Sequence, residues 1–139
     1  MTEVSIQDKL QRRMRVVGTT ITLFHWTGTI PVFRKRNLDF VILDLEHNAF
    51  DWRDVEAFLR MCNMVGLTAI ARVTDIAYHQ ISKVLDLGAD GVLIPRLETV
   101  EQLKQVIDMV RLPPKGKKGV GGYDFSRGPL QETLAQYNK

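Results

Sequence analysis

The sequence predicts an α/β fold of parallel strands, each followed by a helix. Short apolar, β-branched runs alternate with amphipathic helical stretches across links of a few residues, and that alternation requires crossover connections between parallel strands. Several of these runs also end in ionisable residues: Asp44, Glu46 and His47 after one, Arg72 after the next, Arg96 just after the fourth. Ligand sites of α/β folds lie at the carboxyl ends of the strands, and charged groups at successive strand ends suit a (β/α) barrel better than an open sheet. No G-x-G-x-x-G follows the first strand, which argues against a dinucleotide-binding version. Four strand–helix units can be counted. A closed eight-unit barrel usually takes about 250 residues, so the expectation is an incomplete barrel, about four units of eight.

The elements follow in order. Ile6 and Leu10 mark a short amphipathic start, a helix over about 5–13. Residues 16–23 read VVGTTITL, a strand by composition. Pro31 fits the first turn of a short helix over 31–36. Residues 40–44, FVILD, form an apolar run of the kind buried on both faces. Asp51 caps a helix over 52–64 whose Val55, Phe58, Leu59 and Cys62 share one face, and Gly66 stops it. Residues 68–72 are the third strand, and a helix over 76–87 follows with Ile81, Val84 and Leu85 inward. Residues 91–94 are the fourth strand. Thr99 and Gln102 then form a capping box for a helix with Leu103, Val106, Ile107 and Val110 as its stripe. From Pro113 onward the character changes to a Gly/Lys-rich connection, KGKKGVGG at 115–122, and a tail with a last short helix over 130–137. One N-terminal half-barrel over 1–139, with 113–139 as connection and tail, is the expected organisation.

With 139 residues, 45% of them hydrophobic and 25% charged, the chain can bury a real core. The net charge of +3 comes mostly from Arg12, Arg13 and Arg15 and from Lys115, Lys117 and Lys118, so no nucleic-acid-binding face is expected. The single Cys62 excludes an internal disulfide and reads as a buried structural thiol. No stretch approaches the roughly 18 apolar residues of a membrane span, and no secretory h-region opens the chain. A cytoplasmic protein without membrane contact is the expectation.

His47 is the first candidate for proton transfer, because imidazole alone titrates near neutrality without tuning. Asp44 and Glu46 stand beside it, and a carboxylate there can fix its tautomer. The alternative is a strand-end cluster that only solvates a loop. Arg72 closes a buried apolar run, where an unpartnered guanidinium is costly. It can grip a carboxylate with two prongs, or form a structural salt bridge to Asp44 or Glu46. His25 follows the first strand and can reach the site, while His79 falls on an exposed helix position. The 115–122 segment offers backbone N–H groups to a phosphate, yet lacks the Walker pattern; a flexible basic connector is the other reading. Cys and His spacing gives no zinc site.

DFVILDLEH at 39–47, AIARV at 69–73, LDLGADGVLIPRLETVEQ at 85–102, and RLPPKGKKGVGG at 111–122 with Arg127 beyond together resemble the HpcH/HpaI family of class II, metal-dependent 2-oxo-acid aldolases. The resemblance implies a (β/α)₈ barrel that breaks or forms a carbon–carbon bond beside a pyruvate-type enolate, with Mg²⁺ or Mn²⁺ as electron sink. By position it implies His47 as general base and Asp44 as the carboxylate that orients it. It further implies Arg72 as the catalytic arginine that binds the 2-oxo acid, and Glu46 near the metal's water shell. The family's metal ligands, a Glu and an Asp on later strands, match no residue here, so the resemblance leaves the metal without ligands in this chain. Three readings follow: an aldolase half needing a complementing C-terminal half or a second copy of itself, a catalytically inactive remnant serving as a binding or assembly module, and a phosphate-ligand binder using the Gly/Lys loop.

Overall fold

A computed structural model of the chain describes residues 5–23 and 26–120. Its element order is α1 (Ile6–Gln11), β1 (Gly18–Ile21), a 3₁₀ turn (Thr27–Thr29), α2 (Ile30–Lys35), β2 (Phe40–Asp44), α3 (Trp52–Val65), β3 (Thr68–Arg72), α4 (Tyr78–Asp86), β4 (Gly91–Leu93) and α5 (Val100–Val110). The strands form one parallel sheet in the order β1-β2-β3-β4. His25, Arg127 and the helix expected over 130–137 lie outside the described residues.

Local chemistry explains where the helices begin and end. Asp51 accepts the N–H groups of Arg53 (2.8 Å) and Asp54 (2.9 Å) at the start of α3. Gly66, at φ 68°, ends that helix in the left-handed conformation that costs glycine least. Thr99 and Gln102 form the reciprocal capping box at the start of α5. The helix expected over 76–87, with Asp75 before it as the cap, begins instead at Tyr78, with Ala77 as a cap lacking any side-chain bond. The intervening residues form a loop at the end of β3.

The sheet has two unlike faces. Period-two alternation sends Ile21, Val41, Leu43, Ala69 and Ala71 toward the helices, where they join Val55, Phe58, Leu59, Cys62, Ile81, Val84 and Leu85 in one buried cluster. Full burial of Phe58 or Leu59 contributes about 1.5–3 kcal/mol each. The α5 stripe is less covered than its periodicity predicts: only Val106 is buried, and Leu103 is exposed. The opposite face carries Gly18, Thr20, Phe40, Ile42, Ile70 and Leu93, by register. None of these belongs to the core cluster. The Phe40 ring lies across Gly18, where an added Cβ would meet it at 2.6 Å.

The sheet is stitched at its N-terminal end by two aspartates used alike. Asp39 donates its N–H to Val17 O (2.7 Å) and accepts Val17 N–H (2.8 Å). Asp90 does the same with Ala69, at 2.8 and 2.9 Å.

The 113–120 connection differs from a flexible basic linker. Lys118 is fully buried; its Nζ reaches Asp86 Oδ1 at 2.6 Å and Gly119 O at 2.9 Å. Gly119 N–H donates to the Tyr78 hydroxyl at 2.9 Å. The segment is thus fastened to both ends of α4.

Candidate active site

The β2–β3 register sets Asp44 opposite Arg72, and parallel strands bring their carboxyl ends to one edge. Asp44 is buried. Its Oδ1 accepts the backbone N–H groups of Glu46 (2.9 Å) and His47 (3.4 Å). It therefore folds the loop that carries both residues, and it touches the His47 backbone rather than the imidazole. Its Oδ2 faces Arg72 Nη1 at 3.5 Å.

Arg72 is the hub. Its Nη2 pairs with Glu46 Oε2 and lies 3.2 Å from His47 Nε2. A guanidinium only donates, so that contact places the lone pair of a neutral imidazole on Nε2; a proton received there would face Glu46 Oε2 at 3.5 Å. The His47 side chain is 63% exposed and open to a ligand. Arg72 forms the salt bridges to Asp44 and Glu46 that one of its two readings expects, and its buried Nε has no hydrogen-bond partner among the described residues. Asn48 Nδ2, in the loop just beyond His47, is a second buried donor without one. Unsatisfied buried donors are uncommon and mark places where a ligand oxygen or water is expected.

Two further residues join the cluster, one noted in the sequence only as a strand-end charge and one missed altogether. Arg96 follows β4 with a positive φ of 51°, and its Nη2 donates to Thr74 O (2.9 Å) while facing Glu46 Oε1 at 3.5 Å. Gln80 Oε1 accepts both the N–H (3.2 Å) and the hydroxyl (2.8 Å) of Thr74, which fixes that carbonyl. A charge after Pro95 was visible in the sequence; its turn toward Glu46 depends on a left-handed residue that nothing local signals. His79 is exposed, as expected. Cys62 is buried, and burial pushes its thiol up to about 12.

Among the described residues no group of three or more His, Cys, Asp or Glu side chains is placed to hold a metal ion. Asp44 and Glu46 are the only two carboxylates in the cluster described above. Both are committed to guanidinium groups, and Asp44 also to backbone N–H groups. They do not fit a divalent-cation site, which needs several free oxygen ligands. No helix of the described residues is long and apolar enough to cross a membrane.

Parallel βα units with an imidazole, carboxylates and a guanidinium gathered at their carboxyl ends have the layout of a (β/α)-barrel scaffold. Comparison with known proteins makes this specific. The chain belongs to the HpcH/HpaI aldolase/citrate lyase family, whose model matches residues 29–135. It is 37% identical over 102 residues to 4-hydroxy-2-oxovalerate aldolase of Novosphingobium aromaticivorans, covering 72% of this chain and 39% of that protein. It is 34% identical over 104 residues to 2-keto-3-deoxy-L-rhamnonate aldolase of Escherichia coli K12, with the same two coverages. The crystal structure of an HpcH/HpaI aldolase from Desulfitobacterium hafniense superposes with a TM-score of 0.87 at 25% identity, covering 97% of this chain and 53% of that one. The chain thus spans well under half the length of these curated relatives. The described residues form four parallel βα units of a TIM-barrel type, part of a barrel and not a closed one.

Proposed function

We propose that the chain is the base-bearing half of a carbon–carbon lyase that cleaves aldols of pyruvate-type 2-oxo acids. One observation carries the reading: Arg72 holds a buried Nε donor with no partner among the described residues, while its Nη2 lies 3.2 Å from the lone-pair nitrogen of His47. A donor waiting for an acceptor oxygen beside an imidazole base is what a retro-aldol step requires. Arg72 binds the 2-oxo acid. His47 Nε2 takes the proton of the aldol hydroxyl as the carbon–carbon bond breaks, and the bonding pair passes to the 2-oxo group as an enolate. Arg72 stabilises the growing oxyanion, an effect of order 3 kcal/mol by analogy with single oxyanion donors. Asp44 holds the backbone of the His47 loop, and Glu46 faces Nε2 once it is protonated.

A divalent cation, Mg²⁺ or Mn²⁺, would supply an electron sink for this chemistry if held by ligands from outside this chain. Asp44 and Glu46 do not fit as its ligands. The ligands come in this reading from a complementing polypeptide, and the remaining barrel wall from that polypeptide or from a second copy of the chain. The half-buried apolar face of Phe40, Ile42 and Ile70 gives such a partner a seat. At about 25 cal/mol per Å², several hundred Å² there would favour association substantially before entropy costs. Lys118, already held by Asp86, is taken from the phosphate-binding reading.

The test is pyruvate release from 4-hydroxy-2-oxo acids with Mn²⁺ or Mg²⁺, by the chain alone and mixed with the complementary portion of a relative. Light scattering behind size exclusion runs in parallel. Release that disappears in His47→Gln supports the reading, as does a dimer or larger assembly. No release under either condition overturns the aldolase assignment, and a monodisperse, cooperatively unfolding monomer overturns the assembly.

A further inference from the structure

Residues 113–120 lie outside the strand–helix units, yet they are fastened point by point. Lys117 N–H donates to Asp108 O (2.6 Å) and Lys118 N–H to Arg111 O (2.9 Å), which ties the segment to the end of α5. The buried Lys118 ammonium meets Asp86, the last residue of α4, and the Gly119 N–H meets the hydroxyl of Tyr78, the first. That first turn has no side-chain cap. Asp51 and Thr99 cap α3 and α5 with side-chain oxygens, whereas Ala77 has none to offer α4. An uncapped first turn leaves N–H groups without helical partners. Two side chains tie it to other parts of the chain instead. Tyr78 binds the 118–119 segment. Gln80 accepts the N–H and hydroxyl of Thr74, whose carbonyl takes Arg96. Arg96 in turn faces Glu46, the partner of Arg72.

We infer that Lys118 and Tyr78 are positioning residues for the strand-end cluster: docking of residues 118–119 on α4 and the turn of Arg96 toward Glu46 form one coupled equilibrium. Their influence runs through the first turn of α4 and Thr74. Lys118 makes the docking discrete. Its ammonium cannot be drawn off Asp86 and stay buried, because an unpaired buried charge is costly; it leaves for water and takes the segment with it. A two-state element of this kind is the physical requirement for coupling between separate places. Linkage makes the effect mutual: whatever steadies Thr74 and Arg96 also holds Gly119 on Tyr78. The consequence for a bound 2-oxo acid rests on the function proposed above; the coupling rests on these contacts alone.

The test reads each substitution at the other's hydrogen bond, by amide exchange of the ¹⁵N-labelled chain followed by NMR. Tyr78→Phe removes only a hydroxyl. It is expected to speed exchange of the Thr74 N–H about fivefold and to shift the Arg96 Nε–H resonance. Gln80→Met leaves residues 113–120 unaltered, and is expected to speed exchange of the Gly119 N–H by about the same factor. Asp86→Asn loosens Lys118 at constant side-chain shape and should also shift the Arg96 resonance. The N–H of Phe58, a core residue of α3, reports global unfolding and should stay as in the parent in all three. Parent-like Thr74 and Arg96 signals in Tyr78→Phe overturn the coupling, as does a parent-like Gly119 in Gln80→Met or an equal change at Phe58. An unmoved Arg96 resonance in Asp86→Asn overturns the role of Lys118. Pyruvate is then titrated as the probe. Its shifts at Arg72 should saturate at about threefold higher concentration in Tyr78→Phe, and parent-like affinity there overturns the positioning role. A parent chain that takes no pyruvate, with the exchange results as expected, keeps the coupling and sinks the ligand role of Arg72.

Discussion

The two ends of the sheet use the same ingredients to opposite effect. At the N-terminal end, Asp39 pairs with Lys9 of α1 and accepts Val17 N–H, and Arg34 Nε donates to Val65 O. These groups line a cavity of about 280 Å³, but their polar atoms serve one another. The Lys9 hydrogen bond holds the Asp39 carboxyl below its ordinary value; burial opposes this, and the Val17 N–H adds to it. At the carboxyl end, one carboxylate is divided between two guanidinium groups, buried Arg72 Nε and Asn48 Nδ2 lack partners among the described residues, and Arg96 holds a left-handed backbone. A pocket's size does not separate a working site from a structural one. What separates them is whether the polar groups are already satisfied.

The largest expected effect breaks the carboxyl end. In an assembly that turns over, Arg72→Lys should lower kcat/KM by about a hundredfold, because lysine keeps the charge and loses the planar donor pair. Thermal stability should barely move, since the half-buried position still carries a cation. If the variant is as active as the parent, Arg72 is a structural salt bridge and the contrast between the two ends collapses.

Next comes the N-terminal end, where stability and not turnover should respond. Asp39→Asn is expected to cost about 1–2 kcal/mol, the range of a charged hydrogen bond, read by urea denaturation. The pH dependence has a definite sign. The folded pKa lies below the unfolded value of about 3.9, so the contribution is complete above that value and fades as pH falls through the lower folded one. The Asp39→Asn substitution removes that portion of the acid limb. An unchanged acid limb would mean that the Lys9 pair does not hold α1 to the sheet.

The smallest effect gives the baseline. Arg60 and Glu56 form an exposed i,i+4 pair on α3, away from both ends. Arg60→Ala should cost no more than about 0.5 kcal/mol and less at high salt. A larger loss would show that surface pairs alone can mimic the Asp39 result.

Much of this architecture was readable from local rules. Asp51, Gly66 and the Thr99–Gln102 pair each act within four residues of the backbone groups they satisfy, so sequence spacing exposes them. The strand-end position of Asp44, His47 and Arg72 followed from the apolar runs before them. Gln80 fixing Thr74, Arg96 turning toward Glu46 and the burial of Lys118 were not readable. Each depends on where two loops meet, and Lys118 looked like one more charge in a basic run. The start of α4 was misplaced for a related reason: Asp75 is a good cap by type, but the loop after β3 continues to Ala77.

The burial of Lys118 has a consequence for protease susceptibility. Trypsin must take a lysine side chain into its own pocket, which needs an accessible, locally extended chain. Lys115 and Lys117 are exposed, whereas Lys118 is sealed against Asp86. A limited digest should therefore spare the bond after Lys118 for as long as the connection stays docked on α4. Mass-spectrometric appearance of a cut at that bond would then time the release of the segment, at single-residue resolution and without any label.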